Sequence, residues 1–293
     1  MRMLERQNRT FWMFVLPAVA ITLVCLLLPV GRGVQMSLTN LNFLTNTNEF
    51  VGLANYGKAL SDPDFFRALG RNVIYVVVVV VFNFLIGFGM ALVCNRRFVG
   101  EKIVRAIIIF PMLLIPVAAA VLWRFMYNYD IGVINKTLAS LGIGRVNWLG
   151  NMDTVLYSII FTDIWAWTPW MFLILLAGLE GIPAEQVEAA RIDGASGWRL
   201  VRYVILPLMS PVTRVAVSLK AIETFRTFDY VWVMSRGGPG SSSEIMSIFV
   251  YTQAYKNLEY GYSGAISFLV LALMVAVSIV VLRRVILRGE DAS

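Results

Sequence analysis

An all-α polytopic membrane protein is the architecture this chain predicts, and three observations lead to it. Apolar residues make up 58% of the 293, charged residues only 15%, and mean hydropathy is +0.72. A soluble domain typically carries about 25% charged residues, so this chain cannot cover a water-facing surface. Six stretches reach the roughly twenty mainly apolar residues that a bilayer span requires, at about 11–31, 72–94, 105–127, 154–178, 206–234 and 262–284. Lys and Arg are biased towards alternate connections between them, as membrane topology demands.

The first stretch follows Arg2, Arg6 and Arg9 and has no A-x-A-like cleavage site after it, so it reads as an uncleaved helix ending near Gly31–Gln35. The second contains Val76 to Val81 unbroken. Valine is a modest helix former in water, but in lipid the backbone must satisfy its own hydrogen bonds and a helix is forced. Asn83, alone among apolar neighbours, predicts a helix–helix hydrogen bond. Cys25 and Cys94 read as small buried apolar residues rather than a disulfide. The segment at 33–71 is the longest outer connection, rich in Asn, Thr, Gly and Asp-Pro turn signals. The fifth stretch is the least apolar.

With the N-terminus in the cytoplasm, the inner pieces hold 13 basic residues, including Arg96, Arg97 and the tail from 285 to 293, which carries Arg288. The outer pieces hold 9, spread over longer loops, and the fifth stretch holds 3, which accounts for all 25. Both termini and the segment at 180–205 are therefore placed inside.

Several functions are disfavoured. The chain has no histidine, which removes the commonest general base and metal ligand and the His-activated nucleophiles. The net charge of +7 comes without a basic cluster interleaved with aromatics, so no nucleic-acid partner is expected. Gly52 to Ala59 nearly matches a phosphate-binding loop, but Ala59 stands where a hydroxyl must reach Mg²⁺ and no strand is predicted before it. No cofactor is expected on this chain.

The segment at 183–207 is unusual for a membrane connector. Pro183 suits a helix start, Glu185 and Glu188 complement the positive end of the helix dipole, and Ala184, Ala189 and Ala190 are strong helix formers. Gly194 and Gly197 allow a turn, a second short helix starts at Trp198, and Pro207 opens the next span. The predicted result is a compact helix–turn–helix knob rather than a tether.

Glu188-Ala189-Ala190, Asp193-Gly194-Ala195 and Ile205-Leu206-Pro207 resemble, landmark by landmark, the EAA loop of ABC-importer permeases. Val51–Tyr56, Asp62–Phe65, Phe228-Asp229 and Gly237–Gly240 are similar to further elements of the maltose-type, carbohydrate branch of the binding-protein-dependent inner-membrane component family. Ser235-Arg236 departs from that branch, where small polar residues often precede the glycines. The resemblance spans about 11 to 284. It implies a type I ABC importer permease fold in a bacterial inner membrane. It also implies a second permease chain, two ATPase subunits carrying the ATP and Mg, and an extracytoplasmic solute-binding protein that delivers a sugar or polyol. Glu188, Ala189, Ala190, Asp193, Gly194, Ala195, Leu206 and Pro207 would then form the ATPase-coupling surface.

A solute pathway is expected along the fourth and fifth stretches. Lys220, Glu223, Arg226 and Asp229 recur every third residue and could form a ladder of i,i+3 pairs. Charges in a span are costly unless paired or facing a wet interior, so the row is either a self-neutralised ladder or a solute-contact surface. Asp163, Trp167 and Trp170 supply a carboxylate and aromatic faces suited to sugar rings, although Trp also anchors spans at the interface. The competing readings are a proton-coupled secondary transporter using intramembrane Asp or Glu, and an intramembrane aspartyl enzyme using Asp163 or Asp229. The first leaves the knob unexplained, and the second needs a carboxylate pair that the pattern does not supply.

Overall fold

The computed structural model describes residues 2–96 and 98–290. Arg97, used in the orientation argument, and residues 291–293 of the expected tail lie outside the described residues. The helices in order are α1 (Arg2–Ser37), α2 (Ala54–Ser61), α3 (Pro63–Cys94), α4 (Glu101–Ile109), α5 (Pro116–Met126), α6 (Val133–Ser140), α7 (Val155–Glu180), α8 (Ala184–Ile192), α9 (Gly197–Leu200), α10 (Leu206–Leu208), α11 (Ser210–Phe225), α12 (Asp229–Met234), α13 (Met246–Tyr251) and α14 (Tyr260–Glu290). Among the described residues the only β pairing is three isolated bridges at Thr39–Phe50, Asn42–Thr47 and Asn42–Glu259.

Among the described residues, three helices are long and apolar enough to cross a membrane: Val15–Ser37, Pro63–Cys94 and Val155–Glu180. Two bent pairs raise the number to five, and Tyr260–Ala276 is a shorter apolar helix. The third expected stretch is not one rod. α4 runs through a 3₁₀ turn at Phe110–Leu113 and then bends by 97° into α5. Pro116 disfavours helical geometry at the residue before it, and Ile115 is accordingly extended, with ψ 144°. The fifth stretch bends by 73° between Gly197–Leu208 and α11, where Pro207 and Pro211 remove backbone donors. The first helix does not stop at Gly31–Gln35 but continues to Ser37. The predicted loop at 33–71 is largely helical, with only 38–53 and Asp62 outside α1, α2 and α3.

The described residues divide into two compact units, one within 2–63 and 250–272 and one within 64–249 and 273–290. In the first, Asn55 Nδ2 donates to the carbonyls of Ser37 and Thr39 at 3.0 and 2.8 Å, and Lys58 pairs with Glu259 at 2.7 Å. In the second, two apolar clusters form the core. One gathers Tyr75, Val79, Trp123, Ile159, Ile164, Val231 and Ile248, and the other Phe88, Ala91, Met171, Phe172, Leu175 and Met209. α7 contributes to both.

Cys94 is buried as expected, but Cys25 is exposed, because the described part of α1 leaves its apolar surface uncovered by this chain. Asn83 meets its expectation: Thr168 Oγ1 donates to Asn83 Oδ1 at 2.8 Å, joining α3 to α7. Asn135 is buried and bonds Tyr129, Val146 and Trp148.

Candidate solute site and coupling loop

Of the expected ladder of charges only the Lys220–Glu223 rung forms, because the helix that would carry the rest stops. α11 ends at Phe225, and Arg226 and Phe228 leave helical geometry before α12 begins at Asp229. Asn72, fully buried on α3, donates from Nδ2 to the Phe225 carbonyl at 3.3 Å, while its Oδ1 accepts from the Met246 N–H at 3.4 Å. Ser247 Oγ donates to the Thr227 carbonyl at 2.5 Å. Backbone groups freed by the break thus find partners, as a low-dielectric setting requires.

Half of the row turns instead towards α7. Lys220 is 1% exposed, and its ammonium donates to Glu223 Oε2 at 2.6 Å and to Asp163 Oδ1 at 3.3 Å. It also lies 4.7 Å from the centre of the Trp167 ring. Asp163, equally buried, accepts a 2.9 Å bond from the Tyr75 hydroxyl on its other oxygen. The result is a closed network of α3, α7 and α11. Among the described residues neither Arg226 nor Asp229 joins an ion pair, and both are exposed.

Beside this network is a cavity of about 210 Å³ lined by Pro116, Trp167, Glu223, Arg226, Thr227, Phe228, Asp229 and Tyr230. It sits where two broken helices meet, at the start of α5 and the gap between α11 and α12. Of the six solute-pathway residues expected from the sequence, four line it. Asp163 stands behind the wall through Lys220, and Trp170 packs instead against the Phe88–Met171 cluster. Sequence reasoning missed Tyr75, Asn72, Thr227 and Tyr230. Asn72 and Tyr75 carried the same signal as Asn83, hydrogen-bonding groups in an apolar stretch, without a partner being legible.

At the loop, α8 buries none of its side chains. It closes with the Ala195 N–H donating to the Ala190 carbonyl at 2.9 Å and the Gly194 N–H to the Arg191 carbonyl at 3.0 Å. This is a Schellman cap, which needs a left-handed residue at the position after the cap. Gly194 supplies it with φ +87°. Glu188, Ala189 and Asp193 are exposed, Ala190 and Ala195 half-buried. Leu206 packs on the second cluster beside exposed Pro207. Ile192, Trp198 and Tyr203 also stand exposed, at 87%, 66% and 71%.

Residues 83–288 match the family of binding-protein-dependent transport system inner membrane components. The chain belongs to this family. It is the permease subunit of a binding-protein-dependent ABC importer, a multi-pass inner-membrane protein that is not itself an enzyme; ATP is bound by a separate ATPase. The permease is 36% identical over 279 residues to the trehalose/maltose transport system permease protein MalF of Thermococcus litoralis, covering 95% of this chain and 94% of that one. It is 30% identical to the trehalose transport system permease protein SugA of Mycobacterium tuberculosis, covering 96% and 90%. A bacterial ABC transporter involved in import of the acidic polysaccharide alginate shares its fold with TM-score 0.85 at 19% identity, over 97% and 98% of the two chains. The secondary-transporter and aspartyl-enzyme readings fall with this assignment.

Proposed function

We propose that the permease conducts a neutral sugar or polyol through the cavity beside Lys220, driven by an ATPase docked on residues 183–207. The observation that carries this reading is the cavity wall itself. Trp167 offers an aromatic face for the C–H patch of a sugar ring, and Glu223, Arg226, Thr227 and Asp229 offer donors and acceptors for its hydroxyls. Two carboxylates and one guanidinium leave the wall net negative, which favours a neutral solute over an acidic one. A typical ligand pocket runs from about 300 to 1,000 Å³, so this cavity would hold one ring of a longer solute. The relatives named for trehalose and maltose agree with the class.

In this reading the domain at 11–284 crosses the membrane six times, with the bent helix pairs and α14 each counted as a span. The ends 1–10 and 285–293 and the loop then face the cytoplasm. A second permease chain completes the pathway, two ATPase subunits receive the loops, and a binding protein delivers solute from outside. Glu188 pairs with a basic group of the ATPase, Ala189 and Ala190 fit its cleft, and Asp193, Gly194 and Ala195 make the turn. Leu206 and Pro207 join the knob to the next span.

The test is uptake into vesicles holding the full complex, using trehalose, maltose, sorbitol and an alginate oligosaccharide as probes. A neutral probe should be imported, and Trp167→Ala should raise its KM at least ten-fold with assembly intact. Import of the acidic probe alone would refute the solute class. For the loop, combined Glu188→Ala and Gly194→Ala should abolish stimulation of the ATPase by the binding protein; normal stimulation would refute the docking assignment.

A further inference from the structure

We infer that Arg105 is a positioning residue that fixes the root of the coupling loop to neighbouring helices. Movement of the loop is then passed into the membrane region instead of being absorbed at the root. The inference rests on the reading of 183–207 as the ATPase contact.

One guanidinium joins three helix ends. Arg105 Nη2 donates to the carbonyl of Cys94, the last residue of α3, at 2.9 Å. The same nitrogen lies 2.7 Å from Glu101 Oε1 in the first turn of α4 and 3.1 Å from Glu180 Oε1, the last residue of α7. The Cys94 carbonyl is one of the acceptors that a helix end leaves without an intrahelical donor. Glu180 is separated from α8 only by Gly181, Ile182 and Pro183.

The chain leaving the loop is seated on the same turn of α7. A Cβ placed on Gly178 would come within 3.0 Å of Val212 Cγ1 and 3.1 Å of Met209 Cε. Glycine therefore allows α7 to lie close against the start of α11, and Met209 is almost fully buried there. Both arms of the loop converge on one turn, and Arg105 holds that turn to α3 and α4.

Partly exposed ion pairs add little stability, and the three side chains here are 26% to 52% exposed. The arrangement therefore matters as geometry. All three contacts fall on Nη2, the far end of the side chain, which the shorter lysine would not reach in the same place. A residue with this task should be worth more to coupling than to folding.

The experiment uses the reconstituted complex of permease chains, ATPase and binding protein, with ATPase activity measured with and without the binding protein. Arg105→Gln and Glu180→Gln should each lower the stimulation at least five-fold while the unstimulated rate stays as in wild type. Arg105→Lys should fall between. Full stimulation in both single variants overturns the inference. If Arg105→Gln does not assemble, Glu180→Gln decides alone, because its half-exposed carboxylate leaves the α3 and α4 contacts in place. The Glu188→Ala/Gly194→Ala complex is assayed alongside. If it too keeps full stimulation, the docking assignment has failed; if it alone loses stimulation, only the root inference has.

Discussion

Replacing Lys220 with methionine keeps the length and most of the volume of the side chain but removes its charge. Asp163 would then sit 1% exposed with only the Tyr75 hydroxyl, at 2.9 Å, as partner. Removing one member of a buried ion pair typically costs about 3–5 kcal/mol, because the other charge stays desolvated and uncompensated. The lower end applies here: Tyr75 still bonds Asp163, and Glu223, at 35% exposure, can turn to water. For a chain of this size each kcal/mol shifts Tm by roughly 2–4 °C, so about 3 kcal/mol predicts a fall of roughly 6–12 °C. The assay is thermal unfolding of the detergent-solubilised permease followed by size-exclusion fluorescence. Lys220→Met/Asp163→Asn removes both charges and should recover most of the loss, since a neutral pair of similar volume is tolerated. A single variant within about 1 °C of wild type, or a double variant with additive losses, would refute the claim that these two groups compensate each other.

Three further outcomes follow from the same geometry. Thr168→Val should cost about 1–2 kcal/mol in the same unfolding assay, because Asn83 Oδ1 loses its 2.8 Å bond while remaining buried. Gly194→Ala should leave assembly intact but destabilise the turn locally by about 1–2 kcal/mol, the usual cost of a left-handed non-glycine residue, read as faster amide exchange across 184–197. Asn72→Ala should leave the Phe225 carbonyl and Met246 N–H unpaired and lower the maximal transport rate more than Asn83→Ala does, since Asn72 holds the helix break beside the cavity.

Local rules made the helix and turn of 183–207 legible. Helix formers, a glycine at the cap and prolines at the spans write a Schellman turn into the sequence, and the turn is there at Gly194. The candidate solute site was legible only as a set of residue types. An i,i+3 row of charges reads as a ladder if the helix continues, and nothing in Arg226, Thr227 and Phe228 announces that it ends. The break is held by Asn72 and Ser247, distant in sequence, so no local pattern contains it. Trp167 and Trp170 share a face on an ideal helix, yet one lines the cavity and the other packs against Phe88 and Met171, because α7 touches two clusters along its length. The bends at Pro116 and Pro207–Pro211 were not legible for a simpler reason: hydropathy sees composition, whereas the bends of 97° and 73° come from missing donors and the geometry before proline.

The two sites share a frame. α7 runs into the loop and α11 runs out of it, and the same two helices are tied again by the Lys220–Asp163 pair. Asp163 and Glu180 stand seventeen residues apart on one helix, about 26 Å at 1.5 Å per residue. The loop closes one end of the α7–α11 pair and the ion pair bridges it further along, with Gly178 allowing close contact beside the loop. A displacement of α8 that slides or tilts one helix against the other must strain the ion pair, and Glu223, held by the same ammonium at 2.6 Å, forms part of the cavity wall. On the proposed reading, Lys220 is where a movement begun at the loop reaches the cavity wall. In the transport assay, Lys220→Met/Asp163→Asn, although restored in stability, should lower the transport rate per ATP hydrolysed. Wild-type transport per ATP in that double variant would mean that α7 and α11 move as one body and that the coupling runs elsewhere.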